Sequence, residues 1–299
     1  MSPSLLRTIV LGLLLSLAMP GAGAAQYGGP GGARELERYG ATTPEGRLMA
    51  FYSSALAFSP VGLPPAWRKW SLSLGIEASY VPPLSESQRT AGFDKPEATN
   101  LAPLFPRPRA MLALPGGFVV EGSWVPPIRM FDVEANLVSV ALSRPLTRVR
   151  SFEVVPRVSM LGGRVRGPIT CNAETADDGG DDLRLYYQSI CHGNDSDDHF
   201  EPRHISAEVM VATSMRGGAF RPYLSAGARR ERTKFDIGVI RADGSRDLDH
   251  PVLELRATRA HVTGGLMWLN TKRLRTAAEA YWSPGSLFTV RALAGVQLW

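Results

Sequence analysis

The chain has 299 residues, of which 44% are apolar, and a formal net charge of +5 at pH 7. After the N-terminus no run reaches the roughly 18 apolar residues of a helical membrane span. The arginines are scattered, with no dense basic run beyond residues 229–232, which argues against a nucleic-acid partner. The 30 Gly and 23 Pro favour strands and turns over long helices.

Residues 1–24 are predicted to be a secretory signal peptide. Arg7 gives the positive start, residues 9–17 form the apolar core, and Ala-Gly-Ala at 22–24 is a small-residue cleavage site. The chain is therefore expected to be exported.

An N-terminal segment, residues 25–66, follows and contains one predicted helix. Thr43 and Pro44 suit the N-cap and the first helical position, and apolar residues recur at helical spacing up to Leu56. A strand over 47–59 is the competing interpretation.

The remaining residues, 67–299, contain ten segments in which apolar and polar residues alternate, as in strands with two different faces. The predicted strands are 70–80, 109–115, 118–125, 133–143, 151–164, 204–215, 220–239, 252–269, 274–282 and 286–299. A phase slip near 258–260 predicts a β-bulge. If the first strand starts in the periplasm, short turns fall on that side and long connections fall outside. This asymmetry predicts an all-β, transmembrane, antiparallel up-and-down barrel of about ten strands (roughly 8–12) with a short N-terminal helix.

The last predicted strand has apolar side chains at even positions from Phe288 to Leu298 and ends on Trp299. A terminal amphipathic strand of this kind resembles the C-terminal signature of Gram-negative outer-membrane β-barrels, although Trp299 falls out of register with the apolar residues. The resemblance implies a bacterial outer-membrane location and contact with outer-membrane lipid and lipopolysaccharide. It also implies recognition of this strand by the barrel assembly machinery.

Large aromatic residues lie near the ends of the predicted strands, as expected for the two interfacial belts of a membrane barrel. The girdle assigned from the sequence comprises Trp70, Trp268 and Trp299 at the periplasmic rim and Tyr80, Trp124 and Trp282 at the outer rim. Aromatic residues that fill the core of a secreted soluble β protein are the alternative.

Charged residues recur on the polar faces of the predicted strands and are expected to line the lumen as a network. They are Glu77, Glu121, Glu153, Arg157, Glu208, Arg229, Glu231, Arg256, Arg275, Glu279 and Arg291. Opposite charges in a narrow interior are expected to pair. One interpretation is a selective or gated polar path, and the other is a salt-bridged interior that stabilises the barrel. The N-terminal helix is expected in the lumen, across its periplasmic mouth or on the membrane surface.

The longest predicted loop, 165–203, contains the only two cysteines, Cys171 and Cys191. A disulfide between them is expected in an oxidising compartment. Asn194 and Asp198 offer oxygens at alternate positions, as calcium loops do, but no closing Glu follows. A solvated acidic surface is therefore the competing interpretation, and no cofactor is expected.

Two short stretches bear on function. His204-Ile-Ser206, with Glu208 on the same face, resembles the lipid A deacylase pattern, which implies a membrane-embedded hydrolase. Leu114-Pro-Gly-Gly-Phe118 with Trp124-Val-Pro-Pro127 resembles barrels near the FadL-type transporters of hydrophobic compounds, which implies passive uptake. The leading prediction is a passive channel or transporter for a small molecule. In one form of this prediction the molecule is hydrophobic. A non-conducting structural or surface-binding barrel is the alternative, and a lipid hydrolase is a distant third.

Overall fold

The computed structural model describes most of the chain after residue 34. The described residues are 35–64, 70–85, 88, 103–130, 132–146, 148–149, 152–173, 181–213, 219–247, 249–269 and 273–298. All elements below belong to one compact unit, Leu36–Trp299. The predicted signal peptide, residues 214–218 and 270–272 at the ends of predicted strands, and Trp299 lie outside the described residues.

Strands dominate the described part of the chain. They are β1 (Leu36–Tyr39), β2 (Leu72–Tyr80), β3 (Leu104–Ala113), β4 (Val119–Met130), β5 (Val133–Ser143), β6 (Arg148–Val149), β7 (Phe152–Gly167), β8 (Asp198–Glu201), β9 (Arg203–Thr213), β10 (Phe220–Asp236), β11 (Val252–Leu269), β12 (Leu274–Ser283) and β13 (Leu287–Gln297). The helices are α1 (Pro44–Ala55) and α2 (Asp181–Ser189). No helix among these residues is both long and apolar enough to cross a membrane.

Antiparallel pairing joins the strands into a closed barrel. Each long strand pairs with the next in sequence, and β13 returns to pair with β2 from Arg291↔Ser79 to Gln297↔Ser73. The short strand β8 and the longer strand β9 both pair with β7 and β10, so together they act as one strand interrupted at Pro202. The barrel therefore has the ten predicted strands, with β1 and β6 as additional short strands.

The two ends of the barrel differ in their connections. We call the end with the connections β3–β4, β5–β7, β9–β10, β11–β12 the turn end, and the opposite end the loop end. The loop end carries the long connections, residues 81–103, 168–197 and 237–251. Strands β7, β10 and β11 have 16, 17 and 18 residues, whereas β12 and β2 have 10 and 9. One side of the wall therefore extends further than the other at the loop end.

Side chains alternate between an apolar outer face and a polar lumen. In β13, Phe288 and Val290 are 59% and 50% exposed, whereas Arg291 between the outward positions is 1% exposed. A closed sheet has no free edge, and its apolar exterior suits lipid, which offers no hydrogen bonds to a backbone. The predicted transmembrane β-barrel is thus confirmed.

The predicted β-bulge at 258–260 is wrong. The β10–β11 register runs without interruption from Phe220↔Trp268 to Asp236↔Val252. The phase slip arises because outward residues of β11 change from apolar to charged where the strand passes beyond the apolar surface. A register shift occurs instead in β4, between Val125 and Ile128.

Strand β3 begins earlier than predicted, at Leu104, and includes Pro106 and Pro108. Proline lacks an N–H donor, so it is disfavoured where a strand has two ladder partners. Here β3 pairs with β2 along its whole length but with β4 only over Arg109–Ala113. The two prolines therefore lie where the ladder with β4 is absent.

Candidate functional site

The N-terminal segment fills the lumen, and we call residues 40–64 the plug. Helix α1 begins as predicted: Thr43 is the N-cap, its Oγ1 accepts a hydrogen bond from Gly46 N at 3.1 Å, and Pro44 occupies the first helical position. The helix contacts β10, β11 and β13. Met49, Ala50 and Phe51 are at most 2% exposed, because the wall surrounds the helix. Among the placements considered from the sequence, the structure places the helix in the lumen.

The plug runs along the barrel from the loop end to the turn end. Near the loop end, Ser54 Oγ lies 2.6 Å from the hydroxyl of Ser286, in the turn between β12 and β13. Near the turn end, Arg275 at the start of β12 donates a hydrogen bond to Leu63 O at 3.2 Å. Tyr223 OH accepts one from Gly62 N at 2.9 Å. The plug therefore contacts the wall near both ends of the lumen.

After α1 the backbone no longer satisfies its own carbonyl groups, and arginines of the wall donate to them. Arg107 donates to Leu56 O at 2.8 Å and to Ala57 O at 3.1 Å. Arg109 donates to Ser59 O at 2.7 Å. Buried carbonyls without partners destabilise a fold, so these guanidinium groups make an irregular chain stable inside the barrel.

Phe58 is the aromatic centre of this contact. The guanidinium carbons of Arg109, Arg157 and Arg107 lie 4.5, 4.9 and 5.5 Å from the centre of its ring. Arg157 also donates to Phe58 O at 3.3 Å. Cation–π attraction is strongest where water is excluded, so the ring and the arginines stabilise each other's burial.

Alternating charges form a continuous chain around the plug. Arg109 donates to Glu77 at 2.6 Å and to Glu121 at 2.5 Å. Arg157 then bridges Glu121 at 3.0 Å to Glu208 at 2.5 Å. A buried carboxylate is tolerated when its oxygens are paired and hydrogen-bonded. Arg109 and Arg157 therefore bind carboxylates of the wall and backbone carbonyls of the plug at the same time.

A second group of polar contacts surrounds α1. Arg229 donates to Ser54 Oγ at 2.7 Å and to Tyr281 OH at 2.8 Å. Glu231 accepts from Ser53 Oγ and from Arg259 Nε, each at 2.5 Å. The buried serines of the helix are thus satisfied by charged and hydroxyl groups of the wall.

Glu279 and Arg291 hold the plug at Ser59. The Ser59 hydroxyl donates to Glu279 at 3.2 Å, and Arg291 donates to Ser59 Oγ. Glu279 also accepts from Tyr223 OH at 2.9 Å. One small serine of the plug therefore joins two charged groups of the wall.

All of the charged residues assigned to the lumen from sequence are buried, with one exception. Glu153 pairs with Arg221 near the turn end. The exception is Arg256, which is exposed on the outer face and donates to Glu254 at 2.8 Å. Its inward assignment is wrong because it relied on the predicted bulge, which is absent.

The sequence-based assignment missed several residues of the site. Arg107 was missed because the prolines beside it obscured the start of the strand, and Arg109 was missed because it was the first residue of the predicted strand and was not assigned to a face. Arg259 was missed because it fell within the predicted bulge, and Arg221 was not assigned to a face. Phe58 had no signal in the sequence, because its role depends on where the plug lies.

The candidate hydrolase residues do not form a catalytic pair. His204 Nε2 lies 2.7 Å from Ser53 Oγ, not beside Ser206. Glu208 pairs with Arg157 and accepts from Ser225 at 3.3 Å. A nucleophilic serine needs a base within hydrogen-bond reach. Among the described residues, neither His204 nor Glu208 provides one to Ser206.

At the loop end, Cys171 and Cys191 form the predicted disulfide, with an S–S distance of 2.06 Å. Asp198 is buried beside it and accepts hydrogen bonds from Gly238 N at 2.7 Å and Ser196 Oγ at 2.7 Å. Burial raises the pKa of Asp198, and the hydrogen bonds only partly oppose this effect. Asn194 donates its side-chain amide N–H to Arg241 O at 3.3 Å. Among the described residues, no cluster of three or more Asp, Glu, His or Cys side chains is placed to hold a metal ion.

The aromatic residues assigned to the girdle lie mostly on the outer face. Tyr80, Trp124, Trp268 and Trp282 are each at least 41% exposed. Trp268 stacks on Phe220 near the turn end, with ring centroids 5.7 Å apart. Trp70 is half-buried just before β2, at the turn end.

The fold and the filled lumen together define a class. The chain is a ten-strand β-barrel of the outer-membrane type, with an apolar exterior and its own N-terminal segment inside.

Solved structures share parts of this architecture at low identity. The N-terminal barrel domain of Pseudomonas aeruginosa OprF is 13% identical, with a TM-score of 0.27 over 76% of this chain and 97% of that one. Neisserial surface protein A is 10% identical, with a TM-score of 0.31 over 76% and 94%. The Pseudomonas putida toluene transporter TodX is 11% identical, with a TM-score of 0.32 over 89% and 78%. No protein-family profile and no curated protein matches the chain.

Proposed function

We propose that this protein is a bacterial outer-membrane barrel with a lumen closed by its own N-terminal segment, and that it serves as a non-conducting, surface-binding barrel. The loop end would face the cell exterior, and the final strand would be read by the barrel assembly machinery. The observation that carries the proposal is the plug, whose carbonyls are held by arginines of the wall from Leu56 to Leu63.

Occupancy of the lumen argues against a permanently open channel. A small open pore needs a continuous wet path, whereas Val61 and Leu63 of the plug are fully buried. The charges that would line such a path are paired with one another or bonded to the plug. Their arrangement therefore supports a stabilising interior over a conducting one.

The loop end supports a role in binding at the surface. About 10 residues of a tilted strand cross a bilayer, whereas β11 has 18 residues. The difference corresponds to roughly 26 Å of strand beyond the membrane, at about 3.3 Å per residue along the strand. The disulfide-linked loop and β1 pack around this extension. A rigid projection of this kind suits contact with envelope or extracellular components.

Conductance measurements in planar bilayers test whether the plug closes the lumen. Wild-type protein in planar bilayers is expected to show no steady conductance, and a variant lacking residues 41–64 is expected to show open-pore currents. Asp243→Ala, in an exposed turn outside the lumen, is the matched control and should behave as wild type. Retention of the compact, heat-modifiable form on gels would show that the deleted protein still folds. Steady wild-type currents equal to those of the deletion would overturn the proposal.

Passive passage of a small hydrophobic molecule is the second candidate, and the β3–β4 seam favours it. Ladder pairing there is confined to Arg109–Ala113 with Val119–Ser123, although both strands continue towards the loop end. A wall with fewer hydrogen bonds opens at lower cost than one with a full ladder. Faster uptake of a fluorescent hydrophobic solute by proteoliposomes than by protein-free liposomes is expected in this case. Equal uptake would exclude this route.

A further inference from the structure

A group of exposed arginines lies on the outer face of the barrel near the loop end. We call Arg203, Arg230, Arg232 and Arg256 the arginine patch; all four are exposed. Arg232 lies opposite Arg256 in the β10–β11 ladder. Arg230 lies opposite Ile205 in the β9–β10 ladder. The same register, continued by two residues towards the loop end, places Arg203 opposite Arg232. The four side chains thus share one face of three neighbouring strands.

The patch begins where the apolar outer surface ends. Towards the turn end, outward positions on these strands are apolar, including Ile205, Val209 and Leu224. From Phe220 to Arg230, a strand tilted by about 40° rises roughly 25 Å, the usual height of the apolar band of a barrel. The arginines are therefore at the level of lipid head groups.

Positive charge in the patch exceeds the negative charge that neutralises it. Glu254 accepts from Arg232 at 2.5 Å and from Arg256 at 2.8 Å. Arg203 and Arg230 make no side-chain hydrogen bond or ion pair with any described residue. Like charges on adjacent strands destabilise a sheet unless an anion lies between them. Two guanidinium groups are thus available to an external anion.

Among the described residues of β2, β12 and β13, on the opposite side of the barrel, no such group of arginines occurs. There the outward positions nearest the loop end are aromatic, at Tyr80, Trp282 and Phe288. A general attraction to a charged membrane surface would not require this asymmetry. The patch has the character of a local binding site.

We propose that the arginine patch binds the phosphate groups of a phosphorylated glycolipid in the leaflet at the loop end. In a bacterial outer membrane this lipid is lipopolysaccharide, so the inference rests on the proposed location. Arginine binds phosphate through two parallel hydrogen bonds, and the apolar surface below the patch accommodates the acyl chains. Phosphate in the patch also relieves the repulsion among its arginines.

Titration calorimetry of the detergent-solubilised full chain tests the proposal. The probes are bisphosphorylated lipid A and dephosphorylated lipid A with the same acyl chains. Wild-type protein is expected to bind the phosphorylated form at least about tenfold more tightly, because hydrogen bonds between charged groups are lost with the phosphates. In R203Q/R230Q the two affinities are expected to become nearly equal.

The double variant changes only arginines without a described partner, so the fold is expected to persist, as shown by an unchanged gel mobility shift. R129Q/R144Q, which removes two exposed arginines outside the patch, is the matched control and should keep the preference. Equal binding of both lipids by wild type, or an intact preference in R203Q/R230Q, would overturn the inference. So would inorganic phosphate binding as tightly as the lipid.

Membrane fractionation of cells tests the location separately. A protein that is found in the outer membrane but does not distinguish the two lipids would overturn the patch alone. A protein that is absent from the outer membrane would overturn the location on which the lipopolysaccharide assignment rests.

Discussion

Arg109 joins three parts of the fold through one side chain. It donates to Glu77 on β2, to Glu121 on β4 and to the plug carbonyl of Ser59, and it packs against the ring of Phe58. The guanidinium group is 1% exposed. Its geometry suits this role because its five N–H donors point in fixed directions within one plane.

We expect Arg109→Gln to destabilise the barrel strongly. Glu77 and Glu121 would each lose a partner while remaining buried, and breaking a buried ion pair costs about 3–5 kcal/mol. The measurement is urea-induced unfolding followed by tryptophan fluorescence. Arg129→Gln is the control, because Arg129 and its partner Asp132 are both exposed and such pairs contribute about 0–1 kcal/mol. Equal losses in the two variants would contradict this assignment.

At the scale of elements, the loop-end connection 168–197 has local constraints of its own. The disulfide closes a 20-residue separation, and Ser196 Oγ accepts from Cys171 N at 3.0 Å. Tyr187 of α2 donates to Asp195 at 3.1 Å. These contacts are separate from the strand pairing of the wall, and both cysteines pack into the apolar cluster at the loop end of the barrel.

Removal of the disulfide is therefore expected to loosen the connection without opening the barrel. On the chain-entropy model a loop of this length loses about 3 kcal/mol of stabilisation. In the C171S/C191S variant, limited proteolysis should cleave within residues 172–196 faster than in wild type. The urea midpoint should fall, because the unfolded chain is less constrained without the disulfide, whereas the closed barrel should persist as the heat-modifiable form on gels. An unchanged midpoint together with unchanged cleavage would contradict this role of the disulfide.

At the scale of the whole molecule, the first described strand, β1, lies at the loop end of the barrel, and the last strand, β13, finishes at the turn end. Strand β1 runs parallel to β11 at its loop end, from Leu36↔Val252 to Tyr39↔Leu255. The plug then passes to the turn end, where β2 begins and β13 finishes. The plug therefore spans the lumen between β1 at the loop end and β2 at the turn end.

This topology predicts which sites face the cell exterior. Ala41 is exposed at the loop end, and Gly116 is exposed in the β3–β4 turn at the turn end. On intact cells, a membrane-impermeant maleimide should label Ala41→Cys and leave Gly116→Cys unlabelled. The native cysteines do not interfere, because they are paired. The reverse pattern would invert the orientation of the barrel.

The sequence by itself determined the features that depend on local periodicity. Ten strands, with the bounds of β5 and β11 predicted to the residue, follow from two-residue alternation, because each side chain of a membrane strand must face either lipid or lumen. The start of α1 follows from Thr43 and Pro44, because capping involves neighbouring residues only. The disulfide could be predicted because the only two cysteines of the sequence lie in the same predicted loop.

Only the tertiary structure decided how the lumen is filled. Closure of β13 on β2 brings Glu77, Arg109 and Arg291 around the plug, and no local pattern relates residues so far apart in sequence. The membrane boundary also cannot be read from alternation alone, which is why Arg256 was assigned inward. Alternation fixes which side chains share a face, but strand closure and the end of the apolar band determine what each face meets.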